Sequence, residues 1–103
     1  MKKYKIIYDD LFRKDLEKTY FYIADTLNAP QAAGNLLEEI EKAIVRTSMF
    51  PFACRIWESE LSLPEEFRML SVKNYAIFYV VKEDVVEIRR LVYAKMDLKQ
   101  IYG

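Results

Sequence analysis

The sequence contains no histidine. Zinc sites draw on histidine or on several cysteines, so this absence argues against a zinc enzyme. Any acid–base catalyst has to be a tyrosine, lysine, arginine or carboxylate. Cys54 is the one cysteine. It has no partner for an internal disulfide, which fits a reducing cytoplasm, and no histidine to activate it as a nucleophile. Two glycines and three prolines are too few for a Gly-rich phosphate loop or a disordered linker. No apolar run approaches the roughly 20 residues of a membrane span. The apolar run in MKKYKIIYDD is too short for a secretion signal. No cofactor or metal is implied. A charge excess is also missing: 16 basic residues balance 16 acidic ones, so nothing draws the whole chain toward nucleic acid.

What is present suits one compact domain over residues 1–103. The composition, 52% hydrophobic and 31% charged, is enough to bury a core and stay in solution. The charge is unevenly distributed. In residues 51–66, Arg55 faces Glu58, Glu60, Glu65 and Glu66, whereas residues 67–103 are net basic through Arg68, Lys73, Lys82, Arg89, Arg90, Lys95 and Lys99. The basic excess falls on the strands, where a solvated surface is the plain alternative to a binding role.

KYKIIY (3–8) alternates as a short strand with Tyr4, Ile6 and Tyr8 on one face. Asp9 and Asp10 offer a helix N-cap. Phe12, Leu16, Tyr20, Ile23 and Leu27 recur at helical spacing, predicting a helix over 10–27. Asn28-Ala29-Pro30 interrupts it. Ala33, Leu36, Leu37, Ile40, Ala43, Ile44 and Thr47 predict a second helix over 30–48, with Pro30 tolerated in its first turn. Residues 49–66 lack a period and read as irregular, with a short strand or edge near Arg55–Trp57. FRMLSVK (67–73), YAIFYVVK (75–82) and VVEIRRLVY (85–93) predict three strands joined by tight turns at Asn74 and Glu83-Asp84. Asp97–Tyr102 reads as a short helical turn or tail. The expected fold is α+β: an N-terminal strand, an antiparallel helical hairpin, then a mostly antiparallel sheet of three or four further strands. In the strand from Tyr75, both the Tyr75/Ile77/Tyr79/Val81 face and the Ala76/Phe78/Val80 face are apolar. The hairpin covers one. The other is expected to need the tail, a second copy or a partner.

In this order and spacing, DLEKTYFYIADTL (15–27), NAPQAAGNLLEEIEKAI (28–44), MFPFACR (49–55), FRMLSVKNYAIFYVV (67–81) and VVEIRRLVYAKMD (85–97) resemble the RelE/ParE superfamily, the toxins of bacterial type II toxin–antitoxin modules. The resemblance covers nearly the whole chain. It implies a cytoplasmic toxin, a role of the kind associated with plasmid stabilization, and a cognate antitoxin that wraps the sheet and neighbouring helices. One branch cleaves mRNA on the ribosome. The other, ParE-like, poisons DNA gyrase without nuclease activity. The ribosome-dependent nucleases usually carry an arginine where this chain has Ala76, and many carry a second where it has Met96. Tyr93 and Lys95 fit the nuclease pattern.

On this resemblance, translation inhibition by metal-independent, ribosome-dependent mRNA cleavage is the first expectation, with Arg68, Arg90, Tyr93 and Lys95 as the catalytic set. RNA cleavage by its own 2′-OH needs a base, an acid and positive charge on the phosphate. Arg68 offers a bidentate phosphate clamp, or else an ion pair with Glu65, Glu66 or Glu87. Strict alternation puts Arg90 on the face of Ile88 and Val92, and Arg89 with Leu91 and Tyr93. Tyr93 could act as the acid or stack on a base; otherwise it is a half-buried aromatic with a wet hydroxyl. Lys73 and Arg89 are candidate RNA contacts, and Phe78 and Val80 candidate antitoxin contacts. A ParE-like gyrase inhibitor, or a degenerate toxin acting mainly through antitoxin binding, remains open.

Overall fold

A computed structural model describes residues 3–58 and 63–94. The chain runs β1 (Lys5–Tyr8), α1 (Asp10–Phe21), a π-helical turn (Tyr22–Thr26), α2 (Pro30–Met49), β2 (Arg68–Val72), β3 (Tyr75–Lys82) and β4 (Val85–Tyr93). The sheet order is β1-β4-β3-β2. β2, β3 and β4 form an antiparallel meander, and β1 returns parallel to β4. This is the expected α+β architecture. Residues 55–57 also run as an irregular edge beside β2. Ile56 bridges Arg68, and the Trp57 amide donates to the Phe67 carbonyl.

Local chemistry accounts for the boundaries. The Asp9 carboxylate accepts from the Leu11 amide at 2.9 Å and caps α1. Pro30 opens α2 where no amide is needed. The expected single helix over 10–27 instead widens into the π turn, in which the Leu27 amide donates to the Tyr22 carbonyl. The wider turn shifts the phase of the helix. Ala24 is therefore buried, whereas Leu27, read as part of the apolar stripe, is 54% exposed. With no glycine at the hairpins, Lys73 and Glu83 take left-handed backbone conformations, with φ of 54° and 55°.

The helix side of the sheet holds the larger core. Phe12 of α1 and Leu36, Ile40, Ala43 and Ile44 of α2 pack on Val72, Ile77, Tyr79, Val86, Ile88 and Leu91. The buried Tyr79 hydroxyl donates to the Pro51 carbonyl at 2.7 Å, so a large ring is buried without stranding its polar end. The outer face is not bare. Phe67, Ala76, Phe78, Val80 and Val92 form a second core, against which Trp57, Leu63 and Met69 pack. Trp57 and Phe78 meet edge to face at 4.8 Å between centroids. Part of the cover expected for this face comes from Trp57, Leu63 and Phe67, which stand between α2 and β2. Asp97–Tyr102 falls outside the described residues.

A second correction concerns β4. Its pairing with β3 jumps from Tyr79↔Ile88 to Phe78↔Arg90, so an extra residue is inserted there. Alternation fails across this bulge. Leu91 joins Ile88 in the helix-side core, and Val92 joins the outer core. Tyr93, paired with Tyr75, comes to the helix side.

Candidate functional site

The bulge and the π turn face each other across an open groove of about 660 Å³ between α1 and the ends of β3 and β4. Asp15, Lys18, Thr19, Tyr22, Ile23 and Leu27 line one wall, and Tyr75, Arg90, Leu91, Val92 and Tyr93 the other. Tyr75 and Tyr93 meet edge to face at 5.5 Å. Burial raises the pKa of Tyr75 above its ordinary value, and the neighbouring Tyr93 and Tyr22 hydroxyls add to the shift. Tyr93 is 38% exposed and Tyr22 is exposed, so their rings can meet a partner.

Arg90 is held at the base of this groove. Its Nε donates to Asp15 Oδ2 at 2.7 Å and its Nη2 to Oδ1 at 3.1 Å. Oδ2 also accepts from the Leu91 amide at 3.0 Å. One carboxylate on α1 thus holds both the cation and the backbone of the bulge.

The other catalytic candidates lie elsewhere. Arg68 begins β2, near the C-terminal end of α2. Its Nη1 donates to the carbonyls of Cys54 at 2.7 Å and Phe52 at 3.3 Å, and its guanidinium lies 5.0 Å from the Phe52 ring centre. It also reaches Glu66 at 3.5 Å, one of the ion-pair partners named as its alternative role. Lys95 lies outside the described residues. Arg90 and Tyr93 are therefore brought together, and Arg68 is not with them.

Arg89 points to the outer face. It donates to both oxygens of Glu65, at 2.8 and 2.9 Å, and to Glu87 at 2.7 Å, and lies 6.0 Å from the Phe67 ring centre. Lys82 joins at 2.7 Å from Glu65. Hydrogen bonds from Arg89 and Lys82 hold the Glu65 carboxyl down to about 2, and the Glu65 hydrogen bond raises the Arg89 pKa. This cluster ties the acidic segment to the sheet. Lys73 stands exposed at the β2–β3 turn. Phe78 and Val80 are core residues, 0% and 4% exposed. Trp57, Leu63 and Phe67 lie against them.

Sequence reasoning missed Asp15, Lys18, Tyr22 and Tyr75 as groove residues. Asp15 carried a signal: a carboxylate between Phe12 and Leu16, next to the core-facing stripe of α1. The placing of Tyr22 depends on the π turn, which no residue pattern announced. Among the described residues no cluster of histidine, cysteine, aspartate and glutamate is arranged to hold a metal. No helix among them is long and apolar enough to cross a membrane.

Comparison with known proteins agrees with this architecture. Over residues 6–98 the chain matches the family described as the ParE toxin of the type II toxin–antitoxin system parDE. Among solved structures, it is similar to the chromosomal ParDE toxin–antitoxin system from P. aeruginosa, with a TM-score of 0.74 and 17% identity over 90% of this chain and 98% of that one. It is also similar to the RelBE2 toxin–antitoxin complex from Mycobacterium tuberculosis, with a TM-score of 0.60 and 18% identity over 88% and 98%. YafQ from E. coli follows, with a TM-score of 0.55 and 13% identity over 98% and 100%. At these identities the likeness speaks to the fold. No curated protein sequence matches significantly. Since the family match spans all but the two ends, the chain belongs to the ParE toxins of type II toxin–antitoxin systems.

Proposed function

We propose that this toxin acts as a ParE-type inhibitor of DNA gyrase, by binding rather than by cutting RNA, and that a cognate antitoxin holds it silent in the cytoplasm. One observation carries the reading. Among the described residues, the three arginines that could gather charge around one phosphate are dispersed, and each has a partner within the fold. Arg68 serves the Phe52 and Cys54 carbonyls, Arg89 serves Glu65 and Glu87 on the outer face, and Arg90 serves Asp15. A nuclease of this kind gains its rate from positive charge focused on the transition state. Ala76, where the nucleases carry arginine, is buried under the outer core.

The working surface in this reading is the tyrosine-lined groove, whose exposed rings suit contact with a protein. The antitoxin is assigned to the apolar groove of about 380 Å³ between α1 and α2, lined by Tyr8, Phe12, Leu16, Leu37, Ile40 and Ile44. An amphipathic helix fits such a groove. The mRNA-cleavage reading keeps one observation in its favour, the shared groove of Arg90 and Tyr93.

Controlled expression in a host carrying a relaxation-sensitive reporter plasmid tests the proposal. Growth arrest with loss of negative supercoiling, reversed by the co-expressed antitoxin, is expected. Growth arrest with normal supercoiling and truncated messages would instead favour the ribosome.

A further inference from the structure

Two backbone irregularities frame the tyrosine groove, and one side chain of α1 holds the first of them. The β4 bulge supplies an extra residue, and across from it α1 opens into the π turn. Asp15 lies on α1 and spends both carboxylate oxygens on the bulge: Oδ1 on Arg90, and Oδ2 on Arg90 and the Leu91 amide.

We propose that Asp15 is a positioning residue, a latch that selects the bulged register of β4 and so delivers Tyr93 to the groove. The argument begins with the alternative. Counted from Ile88 by strict alternation, Arg90 and Val92 share the helix side, and Leu91 and Tyr93 take the outer face. In the bulged strand, Leu91 is buried on the helix side and Tyr93 stands beside Tyr75. The two registers exchange the faces of Leu91, Val92 and Tyr93.

Apolar burial does not choose strongly between them. Leu91 and Val92 are both buried in the bulged form, one on each side, and alternation would swap one aliphatic for the other. The bulge itself interrupts the ladder at an amide that needs an acceptor. Asp15 provides that acceptor and compensates the cation carried in by Arg90. Arg90 faces the helix side in either register, so the contact that selects the bulged one is the Leu91 amide on Oδ2, made by the same carboxylate that binds Arg90. Asp15 and Arg90 also line the neighbouring surface groove formed with Leu11, Lys14, Phe21 and Tyr22, so the latch is reachable from solvent.

The proposal stands apart from the identity of the toxin's target, and its test reads conformation alone. Amide hydrogen exchange and aromatic NOEs are recorded by NMR on the full chain, wild type and Asp15→Asn. Asparagine keeps the shape and removes the charge. The Leu91 amide is expected to exchange about tenfold faster or more, the scale of losing a charge-assisted hydrogen bond. The Tyr75–Tyr93 ring NOEs should be lost, while the Ile77 and Val86 amides keep their protection. Arg90→Gln leaves Asp15 as acceptor for Leu91, so the acceleration should be smaller and the ring NOEs weakened. Unchanged Leu91 exchange together with intact ring NOEs in both variants overturns the proposal. If Asp15→Asn fails to fold, Arg90→Gln decides it by the same two readouts.

Discussion

Replacing Arg68 separates a structural cation from a catalytic one. Its guanidinium is largely buried and holds the turn after α2 through the carbonyls of Phe52 and Cys54. Arg68→Ala removes the short charge-assisted bond to Cys54, at about 1.5–3 kcal/mol. The 3.3 Å bond to Phe52 is longer and counts for less. The contact with the Phe52 ring adds about 0.5–1 kcal/mol. The Glu66 contact at 3.5 Å involves an exposed carboxylate and adds about 0–1 kcal/mol. Side-chain entropy released by the truncation offsets up to about 2 kcal/mol. The net expected loss is about 2–3 kcal/mol. With a urea m-value near the low end of about 1–3 kcal/mol/M, the midpoint should fall by roughly 2 M. Arg68→Lys keeps the charge but not the planar fork, and should lose about half as much. Equilibrium urea unfolding followed by far-UV circular dichroism measures both. An unchanged midpoint in Arg68→Ala, together with lost toxicity, would refute the reasoning. The guanidinium would then act at the target and not in the fold.

The Glu65 cluster gives a pH prediction. Its folded carboxyl titrates at about 2, below the ordinary 4.5. A depressed acid contributes stability that is complete above the unfolded value and is lost as pH falls through the folded one. The wild type should therefore lose stability between about pH 4.5 and 2, and Glu65→Gln should flatten that slope in urea midpoints measured across the range. Phe78→Ala should cost about 3–5 kcal/mol by opening a cavity in the outer core, read by thermal or urea unfolding. A loss under about 1 kcal/mol would mean that the ring is not the packed core residue described.

Much of the fold was legible because its signals are local. Phe12, Leu16 and the apolar series of α2 gave the helix faces, Asp9 and Pro30 gave their starts, and the short spans at Lys73-Asn74 and Glu83-Asp84 required hairpins. Tyr93 and Arg90 were also found, and they share a groove. What could not be read depended on departures from period. The π turn moved Leu27 to the surface and Tyr22 to the groove rim. The β4 bulge reversed the faces of Leu91, Val92 and Tyr93. The cover over Phe78 and Val80 comes from residues 57, 63 and 67, the first two in a stretch with no period to read. The roles of Arg68 and Arg89 rest on partners 14 to 24 residues away, which spacing alone cannot rank.

The central claim is tested most directly with purified protein in two parallel reactions. One is DNA supercoiling by gyrase. The other is ribosomal translation of a defined message, followed by primer extension. The account predicts that the toxin inhibits gyrase, that added antitoxin relieves the inhibition, and that the message stays intact at the same toxin concentration. Discrete ribosome-dependent cuts, with supercoiling unaffected, would contradict it.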